Sequence, residues 1–236
     1  MVFPRFRGLW RVTREMDFEC GDAGAWRAAL GAYAARVETL AGAAASKREL
    51  LPLDSFYRGD LPLLLRRRGP KPFLSKSELL RVVQWKLSRG QWRPRLMGYA
   101  EALGEAEVEA ASRAAFAAIP DLARAVSELT ALKGVGPATA SAILAAFAPE
   151  IAPFMSDEAM MVAMGNKEYT LKHYLAFAEK LQKKAKELSV DGESFTPTDI
   201  ERALWSSVVG SKALSSSEKD VPKADAKRSS KRKRKP

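Results

Sequence analysis

Apolar residues recur every three or four positions along most of the chain, which is the spacing of one buried face of an α-helix. The segment from Ala25 to Ala41 has this period, and so does the segment from Thr170 to Leu188, whose other face is rich in lysine. Valine and isoleucine are scattered and rarely alternate with polar residues, so the signals for strands are scarce. The pattern predicts an all-α protein.

Capping and terminating residues give the bounds of further predicted helices. Ser75 or Ser77, with Glu78 completing a capping box, begins a helix that ends before Gly90. The other predicted helices are Pro94 to Leu103, Glu105 to Ala118, Asp121 to about Leu132, Pro137 to Ala148, a short one after Ser156, and Thr198 to Val209. The stretch from Leu50 to Pro72, with its Pro and Gly residues, is predicted to be irregular.

Composition and charge narrow the possible classes of function. The chain has 236 residues, of which 47% are hydrophobic, so it can bury a core. Its formal net charge of +11 suggests a polyanionic partner, either nucleic acid or an anionic membrane surface. The single cysteine, Cys20, and the single histidine, His173, exclude an internal disulfide framework, a four-cysteine iron–sulfur cluster and the usual zinc centres. No apolar run approaches the length of a membrane span, and we expect no membrane partner.

Much of the positive charge lies at the carboxyl end. Residues 211–236 contain ten basic and three acidic residues and lack aromatic residues, which predicts a disordered basic tail. Its clusters predict a nuclear import signal read by an import receptor, formed by Lys227, Arg228, Lys231, Arg232, Lys233, Arg234 and Lys235. A non-specific DNA tether and a merely solubilising tail are the other interpretations. Residues 1–210 are predicted to form a single α-helical domain in a nuclear protein.

The most informative segment runs from Leu129 to Leu144, where two glycines flank one apolar residue between two helical patterns. Gly134 and Gly136 permit positive φ angles and close backbone approach, and Val135 is expected to point into the core. The second helix would present free N–H groups and the positive end of its dipole to an anion. The expected phosphate contacts are the N–H groups of Gly134, Gly136 and Ala138, the side chain of Lys133 and the hydroxyl of Thr139. The alternative is a hairpin whose glycines only make a tight turn.

This segment resembles the helix-hairpin-helix motif of DNA repair proteins. The positions of that pattern are filled by Leu129, Leu132, Gly134, Val135, Gly136, Ala140, Ile143 and Leu144. The resemblance implies that residues 121–148 form a hairpin that holds a phosphate of duplex DNA without reading its sequence. It extends to the endonuclease III-like DNA glycosylases, a helix-hairpin-helix superfamily in which an aspartate follows the hairpin at the start of the next helix. Asp157 occupies that place.

The resemblance implies a catalytic role for Asp157. A carboxylate there would stabilise an oxocarbenium-like sugar and activate water once the base has been flipped out of the duplex. The chain departs from the family at Ala138, where bifunctional members carry a lysine, so we expect no lyase activity. The residues flanking Asp157 also differ from the family pattern, and its cysteine cluster is missing. A helix N-cap is the alternative role for Asp157.

The segment from Arg81 to Arg95 interleaves aromatic residues with cations. Arg81, Trp85 and Arg89 are four positions apart and therefore share one helix face. We predict that arginines of this segment contact phosphates, namely Arg81, Arg89, Arg93 and Arg95. Trp85 is predicted to pack at the edge of the core rather than to stack on a base. For Arg81 and Arg89, the alternative to a phosphate contact is that they form a solvated rim around Trp85.

The sequence favours a nuclear protein that binds double-stranded DNA through the hairpin, without sequence specificity, in a repair or chromatin context. A monofunctional base-excision glycosylase that uses Asp157 is the second hypothesis, and a helical protein–protein adaptor without DNA is the third. No metal or other cofactor is expected, except that a monovalent cation at the hairpin is left open. The oligomeric state is not predicted.

Overall fold

A computed structural model describes residues 16–189, 192 and 194–217 of the chain. Within this part the protein is all-helical and contains no strand, which confirms the predicted fold class. None of the helices in the described ranges is both long enough and apolar enough to cross a membrane. The cations of the predicted import signal lie outside the described residues.

The helices of the described part follow one another with short connections. They are α1 (Ala23–Gly31), α2 (Tyr33–Gly42), α3 (Leu50–Ser55), α4 (Leu61–Arg67), α5 (Lys76–Arg89), α6 (Pro94–Glu101), α7 (Glu105–Ala118), α8 (Leu122–Thr130), α9 (Pro137–Phe147), α10 (Asp157–Met164), α11 (Leu171–Leu188) and α12 (Pro197–Ser217). A 3₁₀ turn (Ala45–Lys47) precedes α3, and a π-helical turn (Phe56–Asp60) joins α3 to α4.

Capping residues begin several of these helices at the predicted places. Ser75 caps α5 and forms the predicted capping box with Glu78. Asp121 caps α8, and its side chain accepts a hydrogen bond from the N–H of Arg124. Proline lies in the first turn of both α6 and α9, where its missing N–H would have no helical acceptor.

The prediction of an irregular segment from Leu50 to Pro72 is wrong, because α3, the π-helical turn and α4 occupy most of it. Its apolar side chains are spaced for a helix and are buried in the core, namely Leu50, Leu53, Phe56, Tyr57, Leu61 and Leu65. Pro62 lies in the first turn of α4, where a proline breaks no helical hydrogen bond. Burial of this apolar face outweighs the low helix propensity of Gly59.

Two other predicted boundaries also change. The helix predicted from Ala25 to Ala41 is two helices, which meet at Ala32 directly after the weak helix former Gly31. Helix α12 runs to Ser217, so the tail does not begin at residue 211 as predicted. Residues 211–217 contain neither proline nor glycine that would end the helix.

Helix α9 lies at the centre of the domain, packed against α4, α5, α8 and α11. Its residues 139–146 are all buried. The hydroxyl of Tyr57 donates a hydrogen bond to the carbonyl of Ala142 at 2.6 Å, and the Tyr57 ring stacks on Trp85 with 3.6 Å between the ring centres. Trp85 is fully buried and donates a hydrogen bond from Nε1 to Asp54. The prediction that Trp85 packs against the core is confirmed, although its side chain lies inside the core and not at the predicted edge. Its contacts with Tyr57 and Asp54 hold α5 against α3 and the π-helical turn.

A buried polar network joins α5, α10 and α12. The Nη2 atom of Arg89 lies 2.8 Å from Oε1 of Glu201, and the two side chains are only 2% and 1% exposed. The hydroxyl of Ser156, the residue that caps α10, donates a hydrogen bond to the same carboxylate oxygen. The prediction that Arg89 contacts a phosphate is therefore wrong, because its guanidinium is enclosed and already paired with a carboxylate.

We expect Arg89→Ala to lower the free energy of unfolding by about 3 to 5 kcal/mol, since it would leave the Glu201 carboxylate buried without its partner. Arg95→Ala is the matched control, because Arg95 is exposed and its loss should change stability by less than about 0.5 kcal/mol. Urea unfolding followed by circular dichroism measures both values. Equal stability of the two variants would show that the buried pair does not hold the three helices together.

Candidate nucleic-acid interface

The turn between α8 and α9 has the geometry of a tight hairpin. Gly134 has a φ angle of +84°, in the left-handed region that favours glycine, and a Cβ atom added there would overlap the side chain of Tyr99. Val135 is buried, as predicted. Gly136 differs from the prediction, because its φ angle is −96° and an added Cβ would meet no atom within 4 Å. Its backbone alone therefore does not require glycine.

The hairpin leaves several backbone N–H groups free to bind an anion. The N–H groups of Thr139 and Ala140 both donate to the carbonyl of Gly136 at 2.9 Å. Those of Gly134, Gly136 and Ala138 find no acceptor among the described residues. They lie at the amino end of α9, where the helix dipole also favours negative charge. This arrangement can bind a phosphate through the backbone alone.

A cleft of about 790 Å³ opens beside this end of α9. Its walls come from α2 and the 3₁₀ turn, from the end of α5 and the loop that follows it, from the starts of α9 and α10, and from the second half of α12. A volume of this size suits a ligand as large as a nucleotide. The hairpin therefore forms one wall of a cleft rather than an isolated turn.

The cleft brings together some of the predicted site residues and leaves others outside its lining. Those in the lining are Gly134, Gly136, Ala138, Thr139, Arg93 and Asp157, with Arg89 held at the wall by Glu201. Lys133, Arg81 and Arg95 are exposed side chains outside it. The Nζ atom of Lys133 lies 5.8 Å from the centre of the Tyr99 ring, and Arg81 covers the ring of Phe56.

Three lysines that were not predicted from the sequence line the cleft. They are Lys47, Lys86 and Lys212. The Nζ atom of Lys47 donates a hydrogen bond to the carbonyl of Gly90 at 3.1 Å, and that of Lys212 lies 3.9 Å from Glu158. Lys47 and Lys212 come from elements far apart in the sequence, so no local pattern could have grouped them. Lys86 follows Trp85 directly in the segment of aromatic residues and cations on α5. The sequence does not show, however, that a cleft opens on its side of the helix.

Asp157 is the first residue of α10 and lines the cleft. Ser156 is the N-cap, since its hydroxyl accepts a hydrogen bond from the N–H of Ala159, so the alternative role of Asp157 as a cap is wrong. The Asp157 carboxylate accepts a hydrogen bond from the hydroxyl of Tyr169 at 2.6 Å and lies 3.3 Å from Nζ of Lys167. Partial burial, followed by this hydrogen bond, raises the pKa of Tyr169 to about 12, so the phenol stays a donor at neutral pH.

Comparisons with known proteins agree with the geometry of the hairpin. A family model described as the helix-hairpin-helix motif matches residues 121–146, the stretch from the cap of α8 through most of α9. This motif is generally found in DNA-binding proteins. No curated protein and no solved structure matches the chain. The helix-hairpin-helix element is thus present, while the wider resemblance to DNA glycosylases stays a prediction.

We expect Gly134→Ala to lower the free energy of unfolding by about 1 to 3 kcal/mol, because alanine is strained at a positive φ angle and would also displace Tyr99. Gly136→Ser is the control within the same hairpin, since serine suits the extended backbone of an N-cap and should leave stability unchanged or slightly higher. Thermal or urea unfolding of the two variants checks the difference. Equal losses would contradict the distinct roles of the two glycines.

Proposed function

We propose that the protein binds double-stranded DNA without sequence specificity and that the hairpin is its anchor. The observation that carries this proposal is the set of N–H groups of Gly134, Gly136 and Ala138 at the start of α9, which find no acceptor in the part of the chain that the structure describes. A backbone amide binds any phosphate equally well, because phosphates are the same in every sequence. The match of the helix-hairpin-helix motif to residues 121–146 supports the same function.

The cations of the cleft support this binding mode. Lys47, Lys86, Arg93 and Lys212 surround the space beside the hairpin, so the phosphates that flank the anchored one would meet positive charge. The acids Asp157 and Glu158 line the same cleft, with Glu158 3.9 Å from Nζ of Lys212, and they would repel a phosphate placed against them. The backbone of the DNA would therefore run past the hairpin and contact the cations rather than these two acids.

We also propose that the protein acts in the nucleus, in DNA repair or in a chromatin context. Both rest on the sequence, through the basic clusters of residues 227–235 and the resemblance of the hairpin to repair proteins. The same clusters would bind an import receptor in the cytoplasm and add non-specific affinity for DNA in the nucleus.

A second candidate function is base excision by a monofunctional DNA glycosylase. The observation that favours it is the position of the Asp157 carboxylate, which shares the cleft with the phosphate-binding end of α9 and is not used as a helix cap. A nucleotide turned out of the duplex beside the anchored phosphate would bring its sugar to this carboxylate. Charge stabilisation of an oxocarbenium-like sugar is the chemistry that a carboxylate would supply there.

We expect Gly136→Asp to weaken duplex binding at least about tenfold, because its carboxylate would lie against the proposed phosphate site. Aspartate is a good N-cap, so the fold should be unaffected. Fluorescence anisotropy with a labelled duplex at fixed salt measures the dissociation constant.

Two controls separate charge at the hairpin from charge elsewhere. Gly136→Ser keeps a neutral cap at the same position, and Gly104→Asp adds the same charge at the cap of α7, outside the cleft. Both should bind DNA nearly as the wild type does. An affinity of Gly136→Asp equal to that of Gly104→Asp would remove the hairpin as the anchor.

The second candidate predicts that the protein releases a free base from one member of a panel of duplexes with uracil, alkylated, oxidised or mismatched bases. Asp157→Asn should abolish that release, whereas Glu158→Gln, which neutralises the neighbouring carboxylate, should retain most of it. The measurement is strand cleavage at abasic sites after treatment with alkali. A wild-type protein that binds every duplex but leaves all bases in place would reject the glycosylase and keep the binding function.

A further inference from the structure

Lys86 differs from the other lysines that line the cleft. Among the residues that the structure describes, its amine has neither a hydrogen bond nor a salt bridge, whereas Lys47 donates to a carbonyl and Lys212 lies near Glu158. Lys86 projects from α5 into the same cleft as the amino end of α9 and Asp157. An unpartnered amine on the wall of a cleft is free to react with whatever occupies it.

The surroundings of Lys86 make its amine a better nucleophile than an exposed lysine. Partial burial lowers its pKa from the ordinary value, and the nearby positive charge of Arg93 lowers it further, while Asp157 opposes the shift. A lower pKa increases the fraction of neutral amine at neutral pH, and only the neutral amine has a free electron pair.

Duplex DNA offers few groups with which an amine can react. Phosphodiesters are anionic and resist nucleophiles, and the bases carry no free aldehyde. A deoxyribose that has lost its base is different, because its ring opens to expose an aldehyde at C1′. An abasic sugar beside the phosphate held by the hairpin would enter the cleft in which Lys86 and Asp157 lie.

We propose that Lys86 is a catalytic nucleophile that forms an imine with the C1′ aldehyde of an abasic site in duplex DNA. This inference rests on the proposed binding of duplex DNA and adds a reaction to it. It also departs from the expectation of no lyase activity, which depended only on Ala138 in the hairpin. Here the lysine is supplied by α5, and it lines the same cleft as Ala138.

The reaction needs no oxidant, reductant or metal. The Nζ atom attacks C1′, a proton moves from nitrogen to oxygen, and a second proton from solvent lets that oxygen leave as water, so that a protonated imine remains. The imine acidifies the proton at C2′, which the Asp157 carboxylate takes, and the electron pair of that C–H bond expels the 3′ phosphate as the C3′–O bond breaks. One water then hydrolyses the protonated imine, which releases the unsaturated aldehyde, the Lys86 amine and one proton, and Asp157 returns its proton to solvent.

The test traps the imine in the full-length chain. Protein is mixed with a duplex that carries one abasic site, sodium borohydride is added to reduce the imine to a stable amine, and the covalent adduct is measured on a denaturing gel. Peptide mass spectrometry then locates the modified lysine. A duplex with a tetrahydrofuran abasic analogue, which has no aldehyde, is the substrate control.

Lys86→Arg is compared with Lys183→Arg, which makes the same charge-conserving change at an exposed lysine of α11 outside the cleft. We expect Lys86→Arg to lower the adduct at least tenfold while retaining affinity for the tetrahydrofuran duplex, and Lys183→Arg to form the adduct almost as the wild type does. In the wild type the modified residue should be Lys86. If Lys86→Arg no longer binds DNA, the peptide mass spectrometry of the wild-type adduct decides the question. An adduct on Lys86 then supports the proposal.

Three results would overturn the inference. They are an undiminished adduct in Lys86→Arg, an adduct that maps only to other lysines or to the terminal amine, and a wild-type protein that binds the tetrahydrofuran duplex yet forms no adduct. The last result would leave DNA binding intact. A wild-type protein that binds neither duplex would instead reject the proposed function itself, so the two failures are distinguishable.

Discussion

The interaction on which the site depends is the buried ion pair between Arg89 and Glu201, with the hydroxyl of Ser156 as its third member. Removal of one partner of a buried ion pair leaves an uncompensated charge in the core, so each of these two side chains requires the other. Here the carboxylate of α12 binds both the end of α5 and the cap of α10. Three residues distant in the sequence are thereby held together, and two of them, Arg89 and Ser156, line the cleft. Lys86 lies one turn before Arg89, and Asp157 directly follows Ser156, so the network helps to position these two side chains.

The hairpin wall of the cleft works by a different principle. It lies in an acidic part of the chain, since the residues from Leu96 to Gly165 include nine acids and only three basic residues. The phosphate affinity that we propose for it would therefore come from backbone N–H groups and a helix dipole, which act on a single anion at short range. The cations that would attract DNA from a distance are carried by other elements, at Lys47, Lys86, Arg93 and Lys212. The fold thus separates the positioning of one phosphate from the general attraction of a polyanion.

The residues proposed for binding and those proposed for catalysis line the same cleft. A protein that only held the DNA backbone would need the hairpin and the cations. The cleft adds a carboxylate hydrogen-bonded to Tyr169 and the amine of Lys86, whose pKa is lowered by burial and by the charge of Arg93. Removal of a base leaves an abasic sugar, and an abasic sugar is the substrate proposed for Lys86. The second candidate function and the further inference therefore describe two consecutive reactions at one site, each of which can fail without the other.

The sequence by itself determined the local features. Periodic apolar residues and capping residues predicted most of the helices, and the glycines with their apolar neighbours predicted the hairpin, because helix formation and tight turns depend on residues close together in the chain. Only the tertiary structure decided which side chains face the cleft. Arg89 and Arg81 share a helix face in the sequence pattern, yet one is enclosed by Glu201 and the other is exposed. Lys47 and Lys212 carried no local signal. Burial, charge pairing and the pKa of Lys86 all arise from residues far apart in the chain, and only folding brings those residues into contact.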